Sequence, residues 1–211
     1  MRTLRSVDEV ADIVGAAIHP DRRIVVGIAG APGAGKSTLA EQLVESLNPR
    51  AALVQMDGFH LSQSRLTELG RRDRMGAPDT FDVDGFRATL VAIRRSFGNS
   101  GHSVPVPGFD RGIEEPIPGA IGITPEFPCV VVEGNYLLLD SGGWERIAPL
   151  FDLTFFIEID DEVRLERLIA RHEQFGKSAM AARAWALGPD QVNAELAQAT
   201  AARADYRIAL G

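Results

Sequence analysis

The 211-residue sequence contains one cysteine, Cys129, so an internal disulfide cannot form. It sits in the apolar run Cys129-Val130-Val131-Val132, where a reduced, buried thiol and a cytoplasmic setting are expected. No stretch approaches the ~18 consecutive apolar residues of a spanning helix, which argues against membrane insertion. The start, Met1 to Val10, alternates arginine with acids, and lacks the apolar segment of a secretory signal. Excess positive charge is missing as well, since 22 Lys and Arg face 29 Asp and Glu for a net charge of −7. A nucleic-acid partner normally meets a basic field, so none is expected, and any anion site must be local. There is no internal repeat or low-complexity tract. What is present is ordinary for a folded protein: 45% hydrophobic and 24% charged residues, in a length that favours one domain over residues 1–211.

Leu4, Val7, Val10, Ala11, Val14 and Ile18 recur at helical spacing and predict an opening helix that ends before Pro20. Ile24 to Ala29 is continuous, β-branched and followed by glycines, which predicts a strand buried on both faces. Ser37 to Leu47 reads as a helix closed by Asn48-Pro49, and Ala51 to Met56 as a second strand. Asp82 or Asp84 caps a helix through Phe97, and Pro128 to Glu133 and Leu153 to Ile159 are further buried strands. Asp161 to Asp205 is mostly helical, and Tyr206 to Leu210 supplies a last strand. Such alternation predicts an α/β fold with a parallel sheet covered by helices on both faces. The Gly/Pro-rich stretch 98–127 reads as an ordered insertion near a site, with Val104, Val106, Ile117, Ile121 and Ile123 in short strands.

Gly30-Ala31-Pro32-Gly33-Ala34-Gly35-Lys36-Ser37 matches the P-loop pattern between a buried strand and a helix. In this pattern the glycines let backbone N–H groups surround phosphate oxygens, Lys36 reaches the β and γ oxygens, and Ser37 offers a hydroxyl to Mg²⁺. Thr38 follows in the same helical turn. The motif implies nucleotide binding but not a reaction. An Asn-Lys-x-Asp guanine-reading segment and a Leu-Ser-Gly-Gly-Gln transporter segment are both missing, so GTPases and transporter ATPases recede.

The second strand delivers Asp57-Gly58-Phe59-His60 to the edge of the sheet where ligands bind in open α/β folds. Asp57 is a candidate base for an acceptor hydroxyl, Gly58 would permit close approach to a ligand, and His60 is a candidate contact. Val130 to Glu133 ends in an acid at the same edge, and Glu133 could hold Mg²⁺ or orient Asp57. Arg164, Arg167 and Arg171 fall on one face of a helix that starts at Asp160. They could clamp a phosphoryl group, or form a solvated face neutralised by Glu162 and Glu166. Arg74 and Arg111 are candidate substrate contacts, with Asp110 placed to hold Arg111. Trp144 and Trp185 read as packing residues.

The order of these motifs resembles the phosphoribulokinase and uridine kinase family. The resemblance rests on Gly30 to Ser37, Asp57 to His60, Arg74 through Phe81-Asp82, Phe109-Asp110-Arg111, Glu133-Gly134-Asn135-Tyr136 and the arginine helix. Asp-Gly-Phe-His is similar to the pantothenate kinase branch. Gly76 to Asp82 and Glu133 to Leu139 resemble a bacterial subgroup labelled fructose transport system kinase or nucleoside/nucleotide kinase. The family implies a P-loop NTPase fold and ATP-dependent phosphorylation of a hydroxyl on a small-molecule acceptor, with ATP and Mg²⁺ as cofactors and a homodimer as an open assembly. It implies catalytic roles for Lys36, Asp57, Glu133 and Arg171, a helical lid over 160–188 carrying Arg164 and Arg167, and acceptor contacts from Asn135 and Tyr136. The family usually carries Asp where His172 stands, and Asn193 resembles a lid Asn of pantothenate kinases. Uridine kinases carry Asp-Ser-Phe-Tyr at 57–60 and pantothenate kinases Tyr-Ser-His near 109–111, so the acceptor stays open among sugar, nucleoside and pantothenate. An ATP-binding regulator without phosphotransfer, linked to sugar transport, is the alternative from another class.

Overall fold

The computed structural model describes residues 2–98, 101 and 103–209. Along the chain lie β1 (Arg2–Leu4), α1 (Val7–Ala17), β2 (Ile24–Gly30), α2 (Lys36–Ser46), β3 (Ala51–Gln55), α3 (Gln63–Glu68) and α4 (Val83–Ser96). They are followed by β4 (Val104–Asp110), β5 (Glu115–Ile123), β6 (Cys129–Gly134), β7 (Leu153–Ile157), α5 (Asp161–Gln174), α6 (Ala179–Leu187), α7 (Pro189–Gln198) and β8 (Tyr206–Ile208). Six strands form one parallel sheet in the order β1-β8-β7-β2-β6-β3, and β4 and β5 pair as a separate antiparallel hairpin.

Continuous apolar runs in β2 and β6 follow from burial on both faces. Ile24, Val26, Ile28, Cys129 and Val131 join Leu39 and Leu43 of α2 and Val10 and Val14 of α1 on one face. Val25, Val130 and Val132 join Phe86 and Leu90 of α4, Trp144 and Tyr136 on the other. Trp144 is thus the core residue its sequence context suggests. Burial pushes the Cys129 thiol up to about 12, so it stays protonated and unreactive.

The opening helix starts later than its spacing predicts. Ser6 caps α1 by accepting from the Glu9 N–H, and Leu4 lies buried in β1, paired with β8 at the far end of the chain. Asp82, not Asp84, caps α4, through Gly85 N–H. Met56 leaves the second strand for a 3₁₀ turn over Met56–Phe59. The helical stretch after Asp160 is three helices, and the last strand ends at Ile208, with Leu210 outside the described residues. Of the 98–127 insertion, Asn99, Ser100 and His102 also lie outside them; residues 104–123 of it form the β4–β5 hairpin.

The hairpin's return to β6 is tied to α4 by a single side chain. Arg23 is only 2% exposed and donates to the carbonyls of Ile93, Thr124 and Phe127 and to Ser96 Oγ, at 2.6 to 2.9 Å. Substituting Arg23→Met keeps the apolar stem and strands those acceptors. It should cost about 3 kcal/mol in urea unfolding; an unchanged midpoint would show that water replaces the guanidinium.

Candidate active site

Because the sheet is parallel, β2, β3 and β6 all end at one edge, the place where open α/β sheets bind ligands. Register puts Ile28 and Gln55 on either side of Glu133. The P-loop leaves β2, Asp57 leaves β3, and Glu133 closes β6.

Two P-loop glycines are required by geometry. Gly33 and Gly35 have φ of 82° and 90°, a region that disfavours side chains. A Cβ on Gly33 would also stand 2.8 Å from the Arg164 carbonyl. Gly35 caps α2 with no side-chain bond, so the first N–H groups of that helix remain open to an anion. Lys36 is 8% exposed and folds its ammonium back onto the Ala31 carbonyl at 2.9 Å. Burial lowers its pKa to about 8 against the pull of Glu133 and Asp57. Ser37 Oγ donates to Glu133 Oε1 at 3.2 Å. Glu133, 3% exposed, is raised to about 7 by burial and by the nearby Asp57 charge.

Asp57 experiences the opposite balance. Burial acts to raise its carboxyl, but Arg111, His60, Arg171 and Lys36 together hold it below the usual range. Arg111 supplies the closest partner, an ion pair at 2.7 Å from the turn that joins β4 to β5. Asp110 does not hold Arg111: its Oδ1 accepts from Gly112 and Ile113 N–H groups and shapes the turn. Gly58 serves the same hairpin rather than a ligand, because a Cβ there would clash with the Pro107 carbonyl at 2.1 Å. His60 packs between Phe81 and Phe109 with tilted rings, and its Nδ1 donates to the Asp57 carbonyl at 2.8 Å. Burial lowers its pKa, favouring the neutral ring with Nε2 as an acceptor.

Two cavities meet at this edge. One runs over the P-loop and is lined by Gly33, Gly35, Thr38, Gln42 and Arg167. The other lies toward the hairpin and α6–α7, and is lined by Asp57, His60, Asn135, Trp185 and Asn193. Lys36, Ser37, Arg111 and Arg171 line both.

The remaining predicted residues lie elsewhere. Arg74 pairs with Asp79 outside either cavity. Tyr136 is buried and donates its hydroxyl to the Gly76 carbonyl at 2.6 Å, fixing the loop that borders the pocket. Arg164 is fully buried and binds Asp161, Gln191 and the Pro32 carbonyl, which joins α5 to the P-loop. Of the three arginines only Arg167 and Arg171 reach the cavities. Sequence reasoning did not single out Glu114, Lys177 or Asp190, and it read Trp185 as packing, yet all four line the hairpin-side pocket. His172 pairs with Asp190 at 2.7 Å.

A strand–P-loop–helix unit with two acids at neighbouring strand ends narrows the comparison to P-loop proteins. The model of the phosphoribulokinase / uridine kinase family matches residues 25–182. The chain belongs to this family. Within it, YggC of Escherichia coli K12, an uncharacterized protein, is 34% identical over 84% of this chain and 74% of its own. A Schizosaccharomyces pombe protein provisionally named uridine kinase is 31% identical over 79% of this chain and 74% of its own. The crystal structure of a protein from Silicibacter sp. TM1040, provisionally labelled a fructose transport system kinase, is 34% identical with a TM-score of 0.87. It covers 97% of this chain and 99% of its own. The fold is therefore that of a P-loop kinase.

The Arg111–Asp57 pair has a titration consequence. A carboxyl held low in the folded state contributes stability at neutral pH that is lost as pH falls through its folded-state pKa. In Arg111→Met, burial is less opposed, so the Asp57 carboxyl should titrate at higher pH and acid unfolding should begin earlier. Carboxyl ¹³C NMR of both proteins checks this, and coincident Asp57 curves would rule out the pairing.

Proposed function

We propose that the protein is an ATP-dependent kinase that transfers the γ-phosphoryl group to a hydroxyl of a small molecule. The observation that carries this reading is the pair of cavities with a common boundary at Lys36, Ser37, Arg111 and Arg171. A nucleotide with its phosphates on the P-loop would present its terminal phosphate there, to cations from three different segments. Charge spread over the transferring group needs such fixed positive partners. An acceptor in the second pocket would approach from the opposite side, beside Asp57. The family's kinase-named members support the same chemistry.

In this reading the acceptor oxygen forms a bond to the γ-phosphorus as the bond from that phosphorus to the β-bridging oxygen breaks, and ADP leaves. The acceptor's hydroxyl proton passes to an Asp57 carboxylate oxygen, which is ionised at neutral pH because Arg111 and its neighbours hold it low. Lys36 exchanges the Ala31 carbonyl for phosphate oxygen. Arg167 and Arg171, on α5, close the phosphate side and exclude water, so that the phosphoryl group meets the acceptor.

Mg²⁺ suits the residues present. Ser37 Oγ and Glu133 are oxygen donors already in contact, and Glu133 is a buried acid without enough positive charge around it to stay fully ionised at neutral pH. Among the described residues no group of three or more His, Cys, Asp or Glu could cage a metal, which fits an ion held mainly by phosphate and one or two side chains. Bound there, it would neutralise phosphate charge; Ser37 and Glu133 would hold it.

Asp57→Asn should lower kcat by about 10²-fold or more with nucleotide affinity near wild type, the usual size of a general-base effect. Retained turnover would remove Asp57 as the base. Lys36 provides a separate handle. Because its pKa is lowered to about 8 when no phosphate is present, a bound anion raises it, and metal-free ADP should take up protons near pH 8. Calorimetry in buffers of different ionisation enthalpy measures that uptake, which Lys36→Ala should abolish along with most of the affinity.

A further inference from the structure

The pocket beyond the shared boundary has to recognise the acceptor, and its charges are already matched. Arg111 is held by Asp57 at 2.7 Å. Lys177, from the turn between α5 and α6, is held by Glu114 at 3.3 Å and lies over the Trp185 ring at 5.2 Å. Glu114, at the hairpin tip with φ of 52°, also receives Arg72. Arg171 makes no ion pair among the described residues, but it stands at the boundary with the P-loop cavity.

Unspent hydrogen-bonding capacity on this side belongs to neutral and acidic groups. Asn193 is 3% exposed, borders the pocket, and its side-chain amide makes no hydrogen bond among the described residues. Asp190, 7% exposed, spends one carboxylate oxygen on His172 at 2.7 Å and keeps the other. The two are three residues apart on α7 and so share a face. His60 Nε2 adds an acceptor, and Trp185 and Phe109 add an apolar wall.

We infer that the acceptor is a neutral, sugar-sized polyol whose hydroxyls are read by Asn193 and Asp190, and that acceptors bearing a carboxylate or phosphate ester are disfavoured. A hydroxyl both donates and accepts, so it satisfies a carboxylate oxygen and an amide together. An anion there would lie against the Asp190 carboxylate, compete with Glu114 for Lys177, or draw Arg111 from Asp57 and leave that carboxylate without its closest partner. The wall of Trp185 and Phe109 suits the C–H face of a sugar ring. This inference rests on the phosphotransfer reading above.

The test is acceptor-dependent ADP release with three sets of compounds: neutral monosaccharides and alditols, nucleosides, and charged analogues such as sugar monophosphates, glycerate and pantothenate. Neutral polyols should give at least about tenfold higher kcat/KM than their charged analogues, the scale set by leaving a buried polar group unpaired. Asn193→Ala and Asp190→Asn should each raise the acceptor KM by about tenfold with the ATP KM unchanged. Preference for a charged acceptor, preference for nucleosides, or an acceptor KM untouched in both variants would overturn the inference while leaving phosphotransfer standing. Silence across all three sets, with MgATP still bound in calorimetry, would instead remove the phosphotransfer reading and this inference with it.

Discussion

Asp57 and the buried Glu133 line one cavity and feel each other's charge, and two like charges so placed are tolerable only if cations converge on them. Lys36 comes from the P-loop helix, Arg111 from the hairpin turn and Arg171 from α5. Each arrives from a segment remote in the chain, so the charge balance of the site is also the reason these three segments must be held in register with the sheet. The balance is incomplete without an anion. Lys36 is pulled toward neutrality and Glu133 toward protonation by the same burial. In the proposed reading, a phosphate chain carrying a divalent cation would supply the missing partners of both.

The packing around the site follows from this demand. Gly58 lacks a side chain because the hairpin backbone must lie against the Asp57 turn for Arg111 to reach its carboxylate. Tyr136 and Trp144 are spent on the carbonyls of Gly76 and Pro78, which pins the loop between α3 and α4 against the core. Polar tips of core aromatics thereby set the position of a pocket wall.

Much of this was legible in the chain order. Continuous β-branched runs ending in Gly-rich or acidic segments identify β2 and β6, because a strand buried on both faces leaves few other choices of composition. The P-loop is equally local, since its glycines answer to backbone geometry within the same eight residues. What was hidden depends on partners distant in sequence. Leu4 fits a helical period, yet it pairs with a strand some two hundred positions away. Arg74, Arg164 and Tyr136 are of types suited to ligand contacts, and their actual partners, Asp79, Gln191 and Gly76, were invisible to spacing alone. Glu114, Lys177, Asp190 and Trp185 carry no motif; the first comes from the hairpin and the others from the α5–α6 turn, α6 and α7, and only the topology brings them together. The one usable hint was Asp190, in the opening turn of a helix announced by Gly188-Pro189.

Arg164 has a mechanical meaning as well. Its carbonyl sits against Gly33 and its guanidinium is buried under the P-loop, so the beginning of α5 cannot travel without dragging the phosphate cradle along. Arg171 lies seven residues further, about 10 Å at 1.5 Å per residue. Any swing of α5 that respects the first contact makes Arg164 a fulcrum and Arg171 the end of a lever arm. A tilt of about 10° then carries Arg171 through ~2 Å on that length, enough to make or break a hydrogen bond, while the cradle itself stays still.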